Sequence, residues 1–225
     1  MQPRSNPLCT PLFVAAWLML AVAQARAAVH PNAAAIASQG NGRGALACAA
    51  CHGADGGGQA AAGFPRLAGL NAGYLQRRLD DIASGERGAA VMKPIAARLS
   101  EDERKALAAY YSKLSVAAAP APTASAAGNA RGEWLATRGD WSRQVPGCVQ
   151  CHGPRGVGVG AYFPPLAGQP AQYLAGQMRA FKESGRRNDP LGMMRHIASS
   201  LDDKDIDAVT AWFAAQPVEP ERNEP

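Results

Sequence analysis

The strongest constraint on the fold of this chain is an internal repeat. Among its 225 residues, the run Cys48-Ala-Ala-Cys51-His52-Gly53 returns 100 positions later as Cys148-Val-Gln-Cys151-His152-Gly153. Three further blocks recur in the same order at offsets of 99 to 102 residues: Phe64-Pro65 with Phe163-Pro164, Tyr74-Leu75 with Tyr173-Leu174, and Met92 with Met194. Blocks that keep their order and spacing indicate two copies of one domain, each about 90 residues long.

An alanine- and proline-rich stretch separates the two copies. Residues 116–128 consist almost wholly of Ala, Pro, Ser and Thr, so they offer little to bury. The alternative is an alanine-rich helix, which Pro120 and Pro122 would interrupt. The sequence therefore predicts a first domain over residues 28–115, an extended linker over residues 116–128 and a second domain over residues 129–220.

The first 27 residues have the pattern of a cleaved export signal. Arg4 gives a positive start, and an apolar run of twelve residues extends from Leu12 to Ala23. Ala25-Arg26-Ala27 then supplies small residues at the positions that signal peptidase reads. An uncleaved membrane anchor is the alternative, but a membrane span needs roughly 20 apolar residues. We therefore predict a signal peptide over residues 1–27 and a mature protein in the periplasm.

Within each copy the local signals are helical. Apolar residues recur at a spacing of three to four in both long central segments, as on one face of a helix. Ser100 and Glu103 form a capping box, and Asp202 with Asp205 is a looser equivalent in the second copy. The predicted helices are 33–39, 72–83, 100–114, 132–137, 170–182 and 202–216. No segment shows the alternation of a strand, so the predicted fold class is all-α.

The four cysteines of the predicted mature chain indicate covalently bound haem. Cys-x-x-Cys-His is the attachment signature of c-type haem. Its two thiols form thioethers with the haem vinyl groups, and the adjacent histidine becomes a ligand of the iron. The attaching residues in this sequence are Cys48 and Cys51 with His52, and Cys148 and Cys151 with His152. Two such motifs in register predict two haem c groups as cofactors.

Three other uses of the cysteines explain the sequence less well. A single zinc site would have to join cysteine pairs that lie 97 residues apart, and it would not account for the histidine after each pair. Thioredoxin-like redox chemistry needs a strand–helix–strand context that the sequence does not predict. Two structural disulfides are compatible with export, yet they too leave His52 and His152 without a role.

Two prolines are expected to orient the histidines. A histidine that ligates a metal usually donates its other ring N–H to a nearby carbonyl oxygen. Pro65 and Pro164 follow His52 and His152 by 13 and 12 residues, and we expect them to supply these carbonyls. The alternative is that both are ordinary turn prolines. Leu67 and Leu166 are expected to pack on the haem faces.

The charge balance argues against a nucleic-acid partner. The net charge is +5, and removal of residues 1–27 takes away two arginines and no acidic residue, which leaves +3. Residues 28–115 hold 10 basic and 7 acidic side chains, and residues 116–225 hold 11 of each. A nucleic-acid binder concentrates basic residues far more strongly.

On these motifs the chain resembles the class I cytochrome c family, and its tandem arrangement is similar to the two-domain cytochrome c4 type. The likeness extends from about Ala33 to Gln216. It implies an all-α fold for each domain and two low-spin haems that face each other across the domain interface. It also implies redox partners such as a terminal oxidase, a quinol-oxidising complex or a periplasmic dehydrogenase. Peripheral association with a membrane is left open.

The resemblance also implies a methionine ligand ahead of the last helix of each domain. Met92 and Met194 lie 40 and 42 residues after the histidines of their own motifs, and eight residues before the caps of the following helices. Met193 and His196 compete with Met194 for the iron, and the repeat alignment favours Met194. Met178 falls on the apolar stripe of a helix, so we expect it to be a core residue.

Three functions are compatible with this chemistry. The first is a periplasmic carrier that passes single electrons towards a terminal oxidase or another redox partner. The second is the cytochrome subunit of a periplasmic dehydrogenase. The third is an enzyme, such as a diheme peroxidase or a thiosulfate-oxidising cytochrome, which needs an open position on the iron. Two methionine ligands argue against the third, so we expect an electron carrier without catalytic residues.

Overall fold

The computed structural model describes residues 31–115 and 129–218. The predicted signal peptide over residues 1–27 and the predicted linker over residues 116–128 lie outside the described residues. The described part is mostly helical, which agrees with the predicted fold class. In these two segments no helix combines the length and apolar character needed to cross a bilayer.

The first domain is built from short and medium helices. Their bounds are α1 Ala33–Gln39, α2 Ala49–His52, α3 Ala72–Ser84, α4 Lys93–Ala96 and α5 Glu101–Ser112. A single 3₁₀ turn, Ala60–Ala62, lies in the glycine-rich loop between α2 and α3.

The second domain repeats this order with one addition. Its helices are α6 Ala130–Thr137, α7 Val149–His152, α8 Ala171–Lys182, α9 Met193–Ser200 and α10 Asp203–Ala214. Its 3₁₀ turns are Trp141–Arg143 and Pro154–Gly156. The addition is a small antiparallel pair, β1 Gly139–Asp140 with β2 Val145–Pro146. We predicted no strand, and two-residue strands are too short to produce a detectable alternation.

The ends of α3 follow from local sequence. The side chain of Asn71 accepts a hydrogen bond from the backbone N–H of Tyr74 (3.1 Å), which satisfies one free donor of the first turn. At the other end Gly85 adopts a left-handed conformation with φ of 95°, where a side chain would be strained. The helix predicted over residues 72–83 is therefore confirmed and one residue longer.

The predicted caps of the two last helices are also confirmed. Ser100 Oγ accepts from the N–H of Glu103 (3.2 Å), and the Glu103 carboxylate accepts from the N–H of Ser100 (2.9 Å), so the capping box is complete. In the second domain the Asp202 carboxylate accepts from the N–H of Asp205 (2.8 Å). These bonds fix where α5 and α10 begin.

Two short helices were not predicted. Met92 lies in a turn as the N-cap residue of α4, and Met194 lies in the first turn of α9. The N-cap residue of neither helix caps it through a side chain. In α9, however, the Asp189 carboxylate accepts from the backbone N–H of Arg195 in the first turn (2.9 Å), and Gly192, which precedes the helix, is left-handed with φ of 66°. Packing against α3 stabilises α4, and packing against α8 together with the Asp189 cap stabilises α9.

Each domain has its own core. In the first domain α5 packs against α3 and α1, and in the second α10 packs against α6 and α8. Equivalent positions of the repeat are buried in both cores: Ala96 with Ala198, Leu107 with Val209, and Tyr111 with Phe213. The structure therefore confirms that the repeated blocks correspond to one repeated packing arrangement.

Equivalent segments of the two domains meet at the domain interface. Residues 86–88 and 185–187 form an antiparallel contact centred on Arg87 and Arg186, with N···O distances of 3.0 and 2.9 Å. Nearby, the Arg66 N–H donates to Gln169 Oε1 (3.1 Å), and Gln169 Nε2 donates to the Arg66 carbonyl (3.0 Å). Because Arg87 and Arg186 occupy matching places in the repeat, the domains are related by an approximate twofold axis in this region.

Glu103 generates a testable prediction on stability. Its carboxylate accepts from Ser100 N, from Asn41 Nδ2 (3.3 Å) and from Arg43 Nη2 (2.6 Å). Burial acts to raise the pKa of Glu103, but the three hydrogen bonds and the Arg43 charge outweigh it and lower this pKa below its ordinary value of 4.5. A lowered pKa in the folded state stabilises the protein above pH 4.5, and this stabilisation disappears as the pH falls through the lowered pKa.

We expect Glu103→Gln to lower the free energy of unfolding at pH 7 by about 1–2 kcal/mol, because the capping box and the ion pair are both weakened. The difference from the wild type should shrink as the pH is lowered from about 5 to 3, as measured by denaturant unfolding. Glu101→Gln, an exposed change of the same charge on the same helix, is the control. An equal loss in the control would contradict the assignment.

Candidate functional site

Two one-turn helices carry the attachment motifs. Cys48 is the N-cap residue of α2, and Cys51 and His52 are its last two residues. The second motif has the same arrangement on α7. Residues at positions i, i+3 and i+4 lie on one face of a helix. Each motif therefore presents two thiols and one imidazole in the same direction, as attachment and ligation of one haem require.

Both imidazoles are buried and held in one orientation. The His52 and His152 residues are 5% and 8% exposed. Nδ1 of His52 lies 2.8 Å from the Pro65 carbonyl oxygen, and Nδ1 of His152 lies 2.8 Å from that of Pro164. A carbonyl oxygen can only accept, so Nδ1 must carry the proton and donate. The lone pair of Nε2 is then free to bind a metal.

The environment also favours the uncharged imidazole. Burial lowers the pKa of His52 and of His152, and this effect outweighs the opposite influence of the proline carbonyls. A neutral imidazole is the form that ligates a metal. The ring of Phe64 lies edge-on to His52 and the ring of Phe163 edge-on to His152, each with a centroid distance of 6.2 Å. These aromatic contacts restrict rotation of the ligating rings.

In both domains, a glycine after the attachment motif packs against an aromatic ring of the last helix. The carbonyl of Gly56 accepts from the N–H groups of Leu67 and Ala68, and a Cβ on Gly56 would lie 2.9 Å from the Tyr111 ring. Gly156 has the same two bonds, to Leu166 and Ala167, and the same close approach to Phe213. Glycine is required because φ is near +70° to +80° and the aromatic ring leaves no room.

Both motifs open into one continuous cavity of about 1440 Å³. This volume exceeds the roughly 300–1,000 Å³ of a typical single-ligand pocket. All eight predicted attachment and ligand residues line it: Cys48, Cys51, His52, Met92, Cys148, Cys151, His152 and Met194. Leu67 and Leu166 line it as well, together with apolar side chains from both cores. The cavity therefore has the size, lining and donor set for two apolar, iron-bearing groups.

Met92 and Met194 have matching surroundings. Both line the cavity, both are partly exposed, and each is followed by an Ile-Ala pair whose alanine is fully buried. The competitors of Met194 also line the cavity, but they lie nearer the solvent, since Met193 is 43% exposed and His196 is exposed. Met178 packs against the second core and borders the cavity.

The thiols do not resemble those of the competing interpretations. Cys48, Cys51, Cys148 and Cys151 are all free, so neither pair forms a disulfide in this structure. Burial raises the pKa of Cys48, and it raises that of Cys148 to about 11, whereas redox-active cysteines have a lowered pKa. Within residues 31–115 and 129–218, no cluster of three or more His, Cys, Asp or Glu could hold a metal ion such as zinc.

Five arginines line the same cavity where the domains meet. They are Arg66, Arg77, Arg78, Arg87 and Arg186. In the described residues the buried Nε atoms of Arg66, Arg78 and Arg87 have no hydrogen-bond partner. Burial lowers the pKa of Arg66 to about 10, and burial together with the Arg87 charge lowers that of Arg186 to about 10. A buried N–H donor without a partner is costly, so these three Nε atoms favour a ligand that brings negative groups.

Haem c satisfies this requirement, because each molecule carries two propionate carboxylates besides its apolar ring. Two haem c groups therefore fit the motifs, the oriented imidazoles, the apolar lining and the buried arginine Nε donors that have no partner among the described residues. These arginines are not among the site residues predicted from the sequence. One signal was present: Arg87 and Arg186 recur at the offset of 99 residues that relates the neighbouring blocks of the repeat.

Comparison with known proteins agrees with this site. The family described as Cytochrome c matches residues 40–115 and 135–216, which contain both attachment motifs. The thiosulfate dehydrogenase electron acceptor of Stutzerimonas stutzeri (strain A1501) is 52% identical over 175 residues, which cover 76% of this chain and 79% of that protein.

Two solved structures are similar over most of the chain. The thiosulfate dehydrogenase TsdBA from Marichromatium purpuratum superposes with a TM-score of 0.76 and 44% identity, over 83% of this chain. The match spans only 40% of that longer chain. Reduced cytochrome c4 from Pseudomonas stutzeri superposes with a TM-score of 0.69 and 34% identity, over 75% of this chain and 93% of that one.

The matched surroundings of the two methionines lead to a prediction. Met194→Ala should convert the second haem to a high-spin or histidine-ligated form and leave the first unchanged. The absorption spectrum of the ferric protein should then lose about half of its long-wavelength methionine–iron charge-transfer band.

Met193→Ala and His196→Ala are matched controls, because both side chains border the same cavity beside Met194. Both variants should keep the full band. If either control loses the band while Met194→Ala keeps it, the ligand assignment of the second domain is wrong.

Proposed function

This chain belongs to the cytochrome c family, and it is a two-domain, c4-like electron carrier with two haem c groups. We propose that it receives its electrons from a thiosulfate dehydrogenase outside the cytoplasm. Single-electron transfer follows from the cofactors. The identity of the donor is the specific part of the proposal, and it rests on the 52% identical relative named for that role.

One structural observation carries the carrier function. The two attachment helices open into a single cavity that both domains enclose, so the cofactors of the two domains share one interior. When bound, each haem c supplies a reversible change of iron between Fe(III) and Fe(II). The protein's part is to attach, orient and shield, since an apolar surround keeps water and small ligands away.

Named residues divide these tasks. Cys48 and Cys51 would attach the first haem, and the 2.8 Å bond to Pro65 leaves the Nε2 lone pair of His52 free to ligate its iron. In the second domain Cys148, Cys151 and His152 act in the same way, with the carbonyl of Pro164 holding the imidazole. Pro65 and Pro164 thus orient the histidines through their backbone carbonyl oxygens.

Met92 and Met194 complete the two ligand sets in this proposal. Support comes from their equal placement in the repeat, their position on the cavity wall and their similar partial burial. As ligands, the two thioethers would raise the reduction potential and leave no open position on either iron. A fully ligated iron would suit a carrier and oppose catalysis, in line with relatives named as an electron acceptor and as cytochrome c4.

Two of the functions compatible with the sequence differ in the redox partner of the protein. Delivery towards a terminal oxidase was the leading expectation, and association with a periplasmic dehydrogenase was the alternative. The relatives support the alternative better. Besides the electron acceptor of Stutzerimonas stutzeri, the longer chain of the thiosulfate dehydrogenase from Marichromatium purpuratum contains a region that resembles 83% of this protein. A terminal oxidase then remains a candidate for the next acceptor.

The proposal places the mature protein in the periplasm. Its support is the export signal pattern of residues 1–27, which precedes two motifs for covalent haem. It retains domains over residues 28–115 and 129–220 with a linker over residues 116–128, and the family matches at 40–115 and 135–216 lie inside those domains.

The donor is tested by reduction kinetics with purified components. Catalytic amounts of a thiosulfate dehydrogenase plus thiosulfate should reduce both haems of the ferric protein, as followed by the haem absorption bands. Thiosulfate alone should reduce neither haem, because the role proposed for this chain is to accept electrons and not to oxidise thiosulfate. Ascorbate serves as the control that the haems can be reduced.

Two outcomes would contradict the proposal. Reduction by ascorbate without reduction by the dehydrogenase would exclude that enzyme as the donor. Sustained oxidation of thiosulfate by this chain alone would show that it is an enzyme rather than an acceptor.

A further inference from the structure

Arg87 belongs to the first domain by sequence but bonds to the second. Its Nη2 donates to the hydroxyl of Tyr173 (2.8 Å) and to Oε1 of Gln177 (2.7 Å), and both residues lie on α8. The residue is 6% exposed, it borders the shared cavity, and its buried Nε lacks a partner among the described residues. A cation from one domain is therefore enclosed by the other.

Arg186, the equivalent residue of the second domain, turns towards the same helix. Its Nη1 donates to the same Oε1 of Gln177 (3.2 Å), and its guanidinium lies over the Phe181 ring at 3.9 Å. Neither Arg87 nor Arg186 takes part in an ion pair with a carboxylate within the described ranges. Two buried guanidinium groups, those of Arg87 and Arg186, thus donate to the same neutral acceptor, the amide oxygen of Gln177 in the second domain.

The equivalent positions on α3 of the first domain carry different residues. Arg78 occupies the place of Gln177 on α3, and it forms an ion pair with Asp81 at 2.7 Å. Asp81 in turn corresponds to Ala180 in the second domain. The cation on α3 is therefore neutralised by a carboxylate of its own helix, and no counterpart of that carboxylate exists on α8.

We propose that Arg87 acts across the interface on the haem of the second domain, where it and Arg186 bind propionate carboxylates. Guanidinium groups match carboxylates in geometry and charge, and the partnerless Nε supplies a further donor. The first domain thus contributes a charged residue to the cofactor site of the second. This inference rests on the two haem c groups and does not depend on the identity of the electron donor.

The consequence is a shift in the reduction potential of one haem. Ferrous haem carries one positive charge less than ferric haem, so a nearby buried cation favours the reduced state. Removal of Arg87 should lower the potential of the second haem by more than that of the first. A residue acting only within its own domain would give the opposite order.

The experiment measures each potential separately. In a Met92→Ala background the methionine–iron charge-transfer band reports only on the second haem, and in a Met194→Ala background only on the first. Arg87→Gln is introduced into each background, and the band is followed in a redox titration. We expect a larger downward shift for the second haem. A larger shift for the first haem, or no shift in either, would overturn the proposal.

Two further variants separate charge from structure. Arg87→Lys keeps the charge, so it should return the potential of the second haem most of the way to the wild-type value. Arg98→Gln, an exposed change of the same charge in the same domain, should move both haems little and equally. Thermal unfolding should confirm that Arg87→Gln remains folded. A failure of Arg87→Lys to restore the potential would count against the charge mechanism.

Discussion

Each haem site in this protein depends on the hydrogen bond between a buried imidazole and a proline carbonyl. The bonds from His52 to Pro65 and from His152 to Pro164 fix the ring tautomer, because the carbonyl can only accept. Attachment through two thiols holds the porphyrin, but it does not by itself aim a lone pair at the iron. The glycine-mediated contact to the last helix then ties the loop that carries each carbonyl to the domain core.

The domain interface adds a constraint that one domain alone does not have. Equivalent segments pair across an approximate twofold axis, yet the residues around that axis differ between the copies. Arg66 corresponds to Pro165, and Asp81 corresponds to Ala180. Buried guanidinium groups there need anions, and the cofactors bring them. Docking of the domains and binding of the cofactors are therefore expected to stabilise each other, since each supplies charges that the other leaves unpaired.

Much of the fold and of the haem sites could be predicted from the sequence, because the sequence signals for them are local. The attachment motifs, the capping box at Ser100 and the apolar stripe of α3 depend on residues a few positions apart. The turns at Met92 and Met194 were not predicted, because their N-cap residues have no capping side chain and the Asp189 cap of α9 acts from three residues before Gly192. The partners of Arg87 were not predicted either, since Tyr173 and Gln177 lie 86 and 90 residues away. The recurrence of Arg87 as Arg186 marks both arginines in the repeat, but it does not reveal which residues they contact.

The central claim is that both halves of the mature chain carry covalently attached haem. Mass spectrometry of protein matured in a host that attaches haem c tests it most directly. We predict the mass of the polypeptide after removal of residues 1–27 plus two haem groups, with peptide maps that place one on Cys48 and Cys51 and the other on Cys148 and Cys151. The bare polypeptide mass, or a single adduct, would contradict the account.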